Sequence, residues 1–131
     1  MLRHLIGELL VDYVAMDIKA APDERYGRAA GVKANLQLIE DSIALIMGSG
    51  LDYEFRTTVV PLFMRKGDIK LIGQAIQGAR LWALQQFKPL HSAQDQLQRI
   101  WPYADEILLG MRDEGAAWVQ RCELRGADTV S

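Results

Sequence analysis

The sequence predicts an α/β fold on three observations. Helix-like and strand-like apolar periodicities alternate along the chain, each connection is long enough for a right-handed parallel crossover, and charge falls inside otherwise apolar strands. The third observation marks the expected site. At 131 residues the chain fits one domain, large enough to bury roughly two thirds of its unfolded surface. Fifteen basic and seventeen acidic residues, in no long run of either sign, leave no electrostatic footprint for nucleic acid. No nucleic-acid partner is expected. Apolar residues are interrupted every few positions, so nothing approaches the ~18 consecutive apolar residues of a membrane span, and no signal segment follows Met1. No membrane partner and a cytoplasmic location are expected. The single cysteine, Cys122, excludes an intrachain disulfide and any multi-thiolate metal site made by this chain alone.

Leu2, Leu5, Ile6, Leu9 and Leu10 recur at helical spacing, and Asp12 opens the first strand, Tyr13 to Lys19. Side chains alternate across a strand, so Val14, Met16 and Ile18 share one face while Tyr13, Ala15, Asp17 and Lys19 share the other. A carboxylate and an ammonium thus stand side by side. Burying both is costly unless each finds a partner, so they mark either a polar site or the solvated end of the strand. Ala20 to Gly31, with Pro22, Asp23 and Gly27, reads as an irregular loop of the kind that carries function.

Leu36, Ile39, Ile43, Ile46 and Met47 form the stripe of a helix that Gly48-Ser49-Gly50 ends. Those glycines follow a helix and precede a strand, the reverse of a phosphate cradle. The second strand, Asp52 to Val60, stops at Pro61. Tyr53, Phe55, Thr57 and Val59 form one face, and Glu54, Arg56, Thr58 and Val60 form the other. Glu54 and Arg56 read as an ion pair filling a barrel interior, or Arg56 as a clamp for a carboxylate.

After a loop from Met64 to Gly67, Ile69, Ile72, Ala75 and Ile76 mark a helix closed by Gly78. The third strand is Arg80 to Phe87, with Gln85 and Gln86 on opposite faces near its end. Leu90 to Arg99 is a loop or a frayed helix. Pro102 suits the first turn of a helix running from Tyr103 to about Glu114, with Ile107, Leu108 and Met111 on its apolar side. The fourth strand, Ala117 to Arg125, ends at Gly126. In it Cys122 shares a face with Trp118, Gln120 and Leu124 and reads as a packed thiol. His4 and His91 lack a second ligand at metal spacing and read as solvated. No metal ligand and no catalytic residue is assigned.

The four units imply a partial (half) TIM-type (β/α) barrel with about four parallel strands. A doubly wound sheet is the competitor, but polar faces on the first two strands suit a barrel interior better than a sheet covered by helices on both sides. Chemistry then lies at the C-terminal strand ends, near Lys19, Thr57-Thr58 and Gln85-Gln86.

Four runs carry a resemblance: LVDYVAMDIKAAPDERYGRAAG, SIALIMGSGLDYEFRTTVVP, IGQAIQGARLWALQQFKP and PYADEILLGMRDEGAAWVQRCELRG. They resemble the later half of the radical S-adenosylmethionine (radical SAM) activating enzymes, above all the activating proteins of anaerobic ribonucleoside-triphosphate reductase. The resemblance implies that residues 1–126 are the C-terminal half of an incomplete barrel, with 127–131 a polar tail. It implies a barrel that holds a [4Fe-4S] cluster and S-adenosylmethionine, with Asp17 and Lys19 beside the latter and Arg56 lining the same pocket. By the same resemblance, Asp17 also helps to hold a monovalent cation. The family's chemistry is reductive cleavage of S-adenosylmethionine to methionine and a 5'-deoxyadenosyl radical, which takes a hydrogen from a glycine of a glycyl-radical enzyme partner.

The family's Cys-x3-Cys-x2-Cys loop and Gly-Gly-Glu segment have no counterpart in this sequence. Three thiolates are needed for the cluster, so neither cluster binding nor radical formation is expected of this chain alone. It reads as a truncated product or as one part of a split enzyme. Its expected function is the S-adenosylmethionine side of an activating enzyme, completed by another chain; the alternative is a non-catalytic half-barrel remnant or interaction module. Loss of preceding strands also predicts an exposed edge at Tyr13 to Lys19, and self-association through it.

Overall fold

The structure, a computed structural model, describes residues 13–19, 36–61, 63–65, 67–89 and 100–126. The expected helix at 2–10, the loops at 20–31 and 90–99, His4, His91 and the tail at 127–131 lie outside the described residues. In chain order the elements are β1 (Tyr13–Asp17), α1 (Leu36–Met47), β2 (Asp52–Val59), α2 (Asp68–Ala75), β3 (Trp82–Gln86), α3 (Asp105–Gly115) and β4 (Cys122–Arg125). The strands form one parallel sheet in the order β1-β2-β3-β4. This is the expected α/β architecture. Strand order follows chain order, as in a segment of a barrel, without the reversal that defines a doubly wound sheet.

Alternation within the strands sorts the sheet into two unlike faces. Val14 of β1, Tyr53, Phe55, Thr57 and Val59 of β2, Trp82 and Leu84 of β3 and Leu124 of β4 are buried. Ile43 and Ile46 of α1, Ile69 and Ile72 of α2, and Leu108 and Met111 of α3 join them in one apolar core. The helices therefore cover one face. Trp82 is the largest fully buried side chain, and its indole N–H donates to Thr57 Oγ1 at 3.0 Å, so burial leaves no donor unmet.

The register pairs Ala15 with Glu54, Asp17 with Arg56, Thr58 with Gln85, and Ala83 with Glu123. Paired residues of a parallel sheet share a face, so all of these lie opposite the core. None of the described helices places its buried residues there.

The fourth strand is shorter than the sequence suggests, beginning at Cys122 rather than Ala117. Ala116, Ala117 and Trp118 instead continue as turns from α3, donating to Arg112 O, Glu114 O and Gly115 O. Packing explains this. Trp118 lies on α2 at Gly73, where a Cβ would come within 2.5 Å of the indole, and Gly78 N–H donates to Trp118 O at 2.9 Å. Tertiary contact overrides the β-propensity of that stretch.

Candidate functional site

β1 ends at Asp17 rather than at Lys19, although Ile18 N–H still donates to Arg56 O at 2.8 Å. The register sets Asp17 opposite Arg56, and Arg56 Nε donates to Asp17 Oδ1 at 3.0 Å. Two of the three expected site residues are thus in contact. Both are open to solvent, with side-chain exposures of 43% for Arg56 and 55% for Asp17. Lys19 is exposed and stands two residues past the end of β1.

The expected pairing of Glu54 with Arg56 is replaced by a longer-range one. Glu54 Oε2 accepts from Arg125 Nη1 at 2.6 Å, and Oε1 accepts from Tyr13 Oη at 2.6 Å and Arg125 Nη2 at 3.4 Å. Arg125 Nη2 also donates to Glu123 Oε1 at 2.8 Å. Arg125 reaches over β3 to do this. The residue of β3 on that face between Arg56 and Glu123 is Ala83, whose single-carbon side chain leaves the crossing open. One carboxylate on β2 therefore links β1 to β4.

Glu54 is only 7% exposed. Desolvation raises its pKa, but hydrogen bonds from Arg125 and Tyr13 and the charges of Arg125 and Arg56 outweigh it and hold the carboxyl below its usual range. Desolvation, followed by the hydrogen bond to Glu54, pushes the Tyr13 phenol up to about 12. The bonds to Glu54 and Glu123 raise Arg125 further still. At neutral pH Tyr13 is therefore a neutral phenol, Glu54 a carboxylate and Arg125 a guanidinium.

The Thr57-Thr58 and Gln85-Gln86 pairs divide between the faces. Thr57 accepts from the buried Trp82, and Gln86 Nε2 donates to Tyr103 O at 3.0 Å, tying β3 to the segment before α3. Thr58 and Gln85 remain exposed on the open face. Cys122 lies toward the core, and burial pushes its thiol up to about 12. It is a packed thiol, as expected.

Sequence reasoning did not single out Glu123 and Arg125. A signal was present: an acid followed two residues later by a base occurs in Asp17-Ile18-Lys19, in Glu54-Phe55-Arg56 and in Glu123-Leu124-Arg125. In the second and third runs the pleat sends both charges to one face, whereas Lys19 lies past the end of β1.

Among the described residues, no helix is long and apolar enough to cross a membrane, and no group of three or more His, Cys, Asp or Glu side chains is placed to hold a metal ion. What the face offers is Asp17 and Arg125 at the C-terminal ends of β1 and β4, with Glu54 and Arg56 further back on β2. That set can grip a small ligand bearing both charges.

The chain is similar to a Methanocaldococcus jannaschii protein named as a glycyl-radical enzyme activating enzyme, with 29% identity over 103 residues. The similarity covers 76% of this chain and 42% of that relative, so the chain spans less than half of the relative's length. No protein-family model matches the chain. No solved structure matches it either.

Proposed function

We propose that this chain is the S-adenosylmethionine side of a radical SAM activating enzyme. Its partner would be a glycyl-radical enzyme of the anaerobic ribonucleoside-triphosphate reductase type. The observation that carries the reading is the Asp17–Arg56 pair on the face opposite the described helices, at the C-terminal end of β1. The relative's name supports the same general activity. Asp17 would receive the ligand's ammonium and Arg56 its carboxylate, with Lys19 close to the same strand end. An exposed ion pair contributes only about 0–1 kcal/mol, so a zwitterion that replaces it meets little resistance.

When bound and reduced, S-adenosylmethionine supplies the means to abstract a hydrogen atom from a partner's glycine. The iron–sulfur cluster does not fit this chain, because its one cysteine faces the core where three thiolates are required. Any cluster needs thiolates from beyond these residues.

Calorimetric titration with S-adenosylmethionine tests the pocket without requiring turnover. Binding should weaken about tenfold or more in Asp17→Asn and in Arg56→Ala, the loss of one charge-assisted contact each. Absence of heat at millimolar ligand with the unaltered chain would sink the pocket and leave the interaction module.

A further inference from the structure

Glu54 and Arg56 stand two residues apart on β2 and share the face opposite the core, roughly 7 Å from Cα to Cα along an extended strand. An arginine side chain spans that distance, so a Glu54–Arg56 pair is the contact the strand itself makes most available. The fold does not make it. Arg56 turns to Asp17 at 3.0 Å, and Glu54 takes both Nη atoms of Arg125 instead, at 2.6 and 3.4 Å.

The two carboxylates differ in how much they need a cation. Glu54 is 7% exposed and is costly to leave ionised without one, whereas Asp17 is open to water that solvates it in any case. Glu54 is the stronger claimant on a guanidinium within reach. The charges of both Arg125 and Arg56 act on it, while Tyr13 supplies a hydrogen bond without a charge.

We propose that Arg125 is a positioning residue: by occupying Glu54 it keeps that carboxylate from drawing Arg56 away from Asp17. Removal of Arg125 leaves Glu54 with Tyr13 alone, and Arg56, 43% exposed and held by one solvent-open ion pair, turns back along β2 to replace it. The end of β1 then loses its guanidinium. The bearing on S-adenosylmethionine rests on the function proposed above, since a carboxylate ligand beside Asp17 needs Arg56 there; the exchange of Arg56 between two carboxylates does not.

The side-chain Nε–Hε NMR signal of Arg56 in the whole chain, assigned by its loss in Arg56→Lys, provides the test. With Arg125 in place the signal should move more in Asp17→Asn than in Glu54→Gln. In Arg125→Ala that order should reverse, and Arg125→Gln, which offers Glu54 a donor without a charge, should behave as the alanine variant does. Arg125→Lys should keep the original order. In calorimetric titration with S-adenosylmethionine, Arg125→Ala should bind about tenfold more weakly, and adding Glu54→Gln should bring the affinity back to within about threefold, a recovery that lost packing at position 125 would not allow. An unchanged order in both Arg125→Ala and Arg125→Gln, or an affinity loss that Glu54→Gln does not recover, would overturn the proposal. Absence of heat with the unaltered chain sinks the S-adenosylmethionine reading alone, and the order of the NMR shifts still decides the role of Arg125.

Discussion

Replacing Glu54 with alanine leaves the Tyr13 hydroxyl without its acceptor and Arg125 with Glu123 alone. Breaking a fully buried pair costs ~3–5 kcal/mol. Arg125 is 39% exposed, so water recovers part of that loss and a cost of about 2 kcal/mol is expected in urea unfolding. A loss under about 0.5 kcal/mol, the range of ordinary surface substitutions, would show the cluster to be incidental. The sign with pH follows from the carboxyl being held low in the fold. Its stabilisation is present above the unfolded value of about 4.3 and disappears as pH falls through the folded value. Glu54→Gln should lack that acid-side component. At this scale the sequence is informative about faces and silent about partners. The pleat alone assigns Glu54, Arg56 and Asp17 to polar faces, but Glu54 and Arg125 stand 71 positions apart, and only the register of four strands brings them together.

Among the elements, α2 and the turn after α3 meet at Gly73, and the geometry there sets a limit on substitution. A methyl group at Gly73 would overlap the Trp118 ring, so Gly73→Ala should cost about 1–3 kcal/mol. Gly110, within α3, has nothing near its missing Cβ. Gly110→Ala should instead stabilise by roughly 0.5–1 kcal/mol through helix propensity. Thermal unfolding of the two variants side by side checks the contrast; equal shifts would refute it. The three described helices were legible because their stripes repeat at helical spacing, and β2 because its alternation is strict. The start of β4 was not, since Ala117 to Val119 looks strand-like locally, yet Trp118 is claimed by a helix more than forty residues earlier. Burial on α2 outweighs a few residues of local preference.

For the whole molecule, β1 and β4 are the two margins of the described sheet, and they differ in character. Among the described residues, β1 pairs only with β2 and carries Asp17 paired to Arg56 within the sheet, whereas β4 pairs only with β3 and ends in Arg125, which reaches back to Glu54. We propose that self-association uses the β1 margin. Sedimentation should show a concentration-dependent dimer that proline at Ala15 abolishes by removing a backbone donor. A monomer at all concentrations counts against it. The link from Tyr13 through Glu54 to Arg125 also bears on how the chain is made. On the ribosome the acid emerges long before its guanidinium, so the nascent sheet carries a carboxylate without its Arg125 partner until the last described strand arrives. Completion of the sheet and neutralisation of that charge then happen in one step, at the very end of synthesis of the described domain.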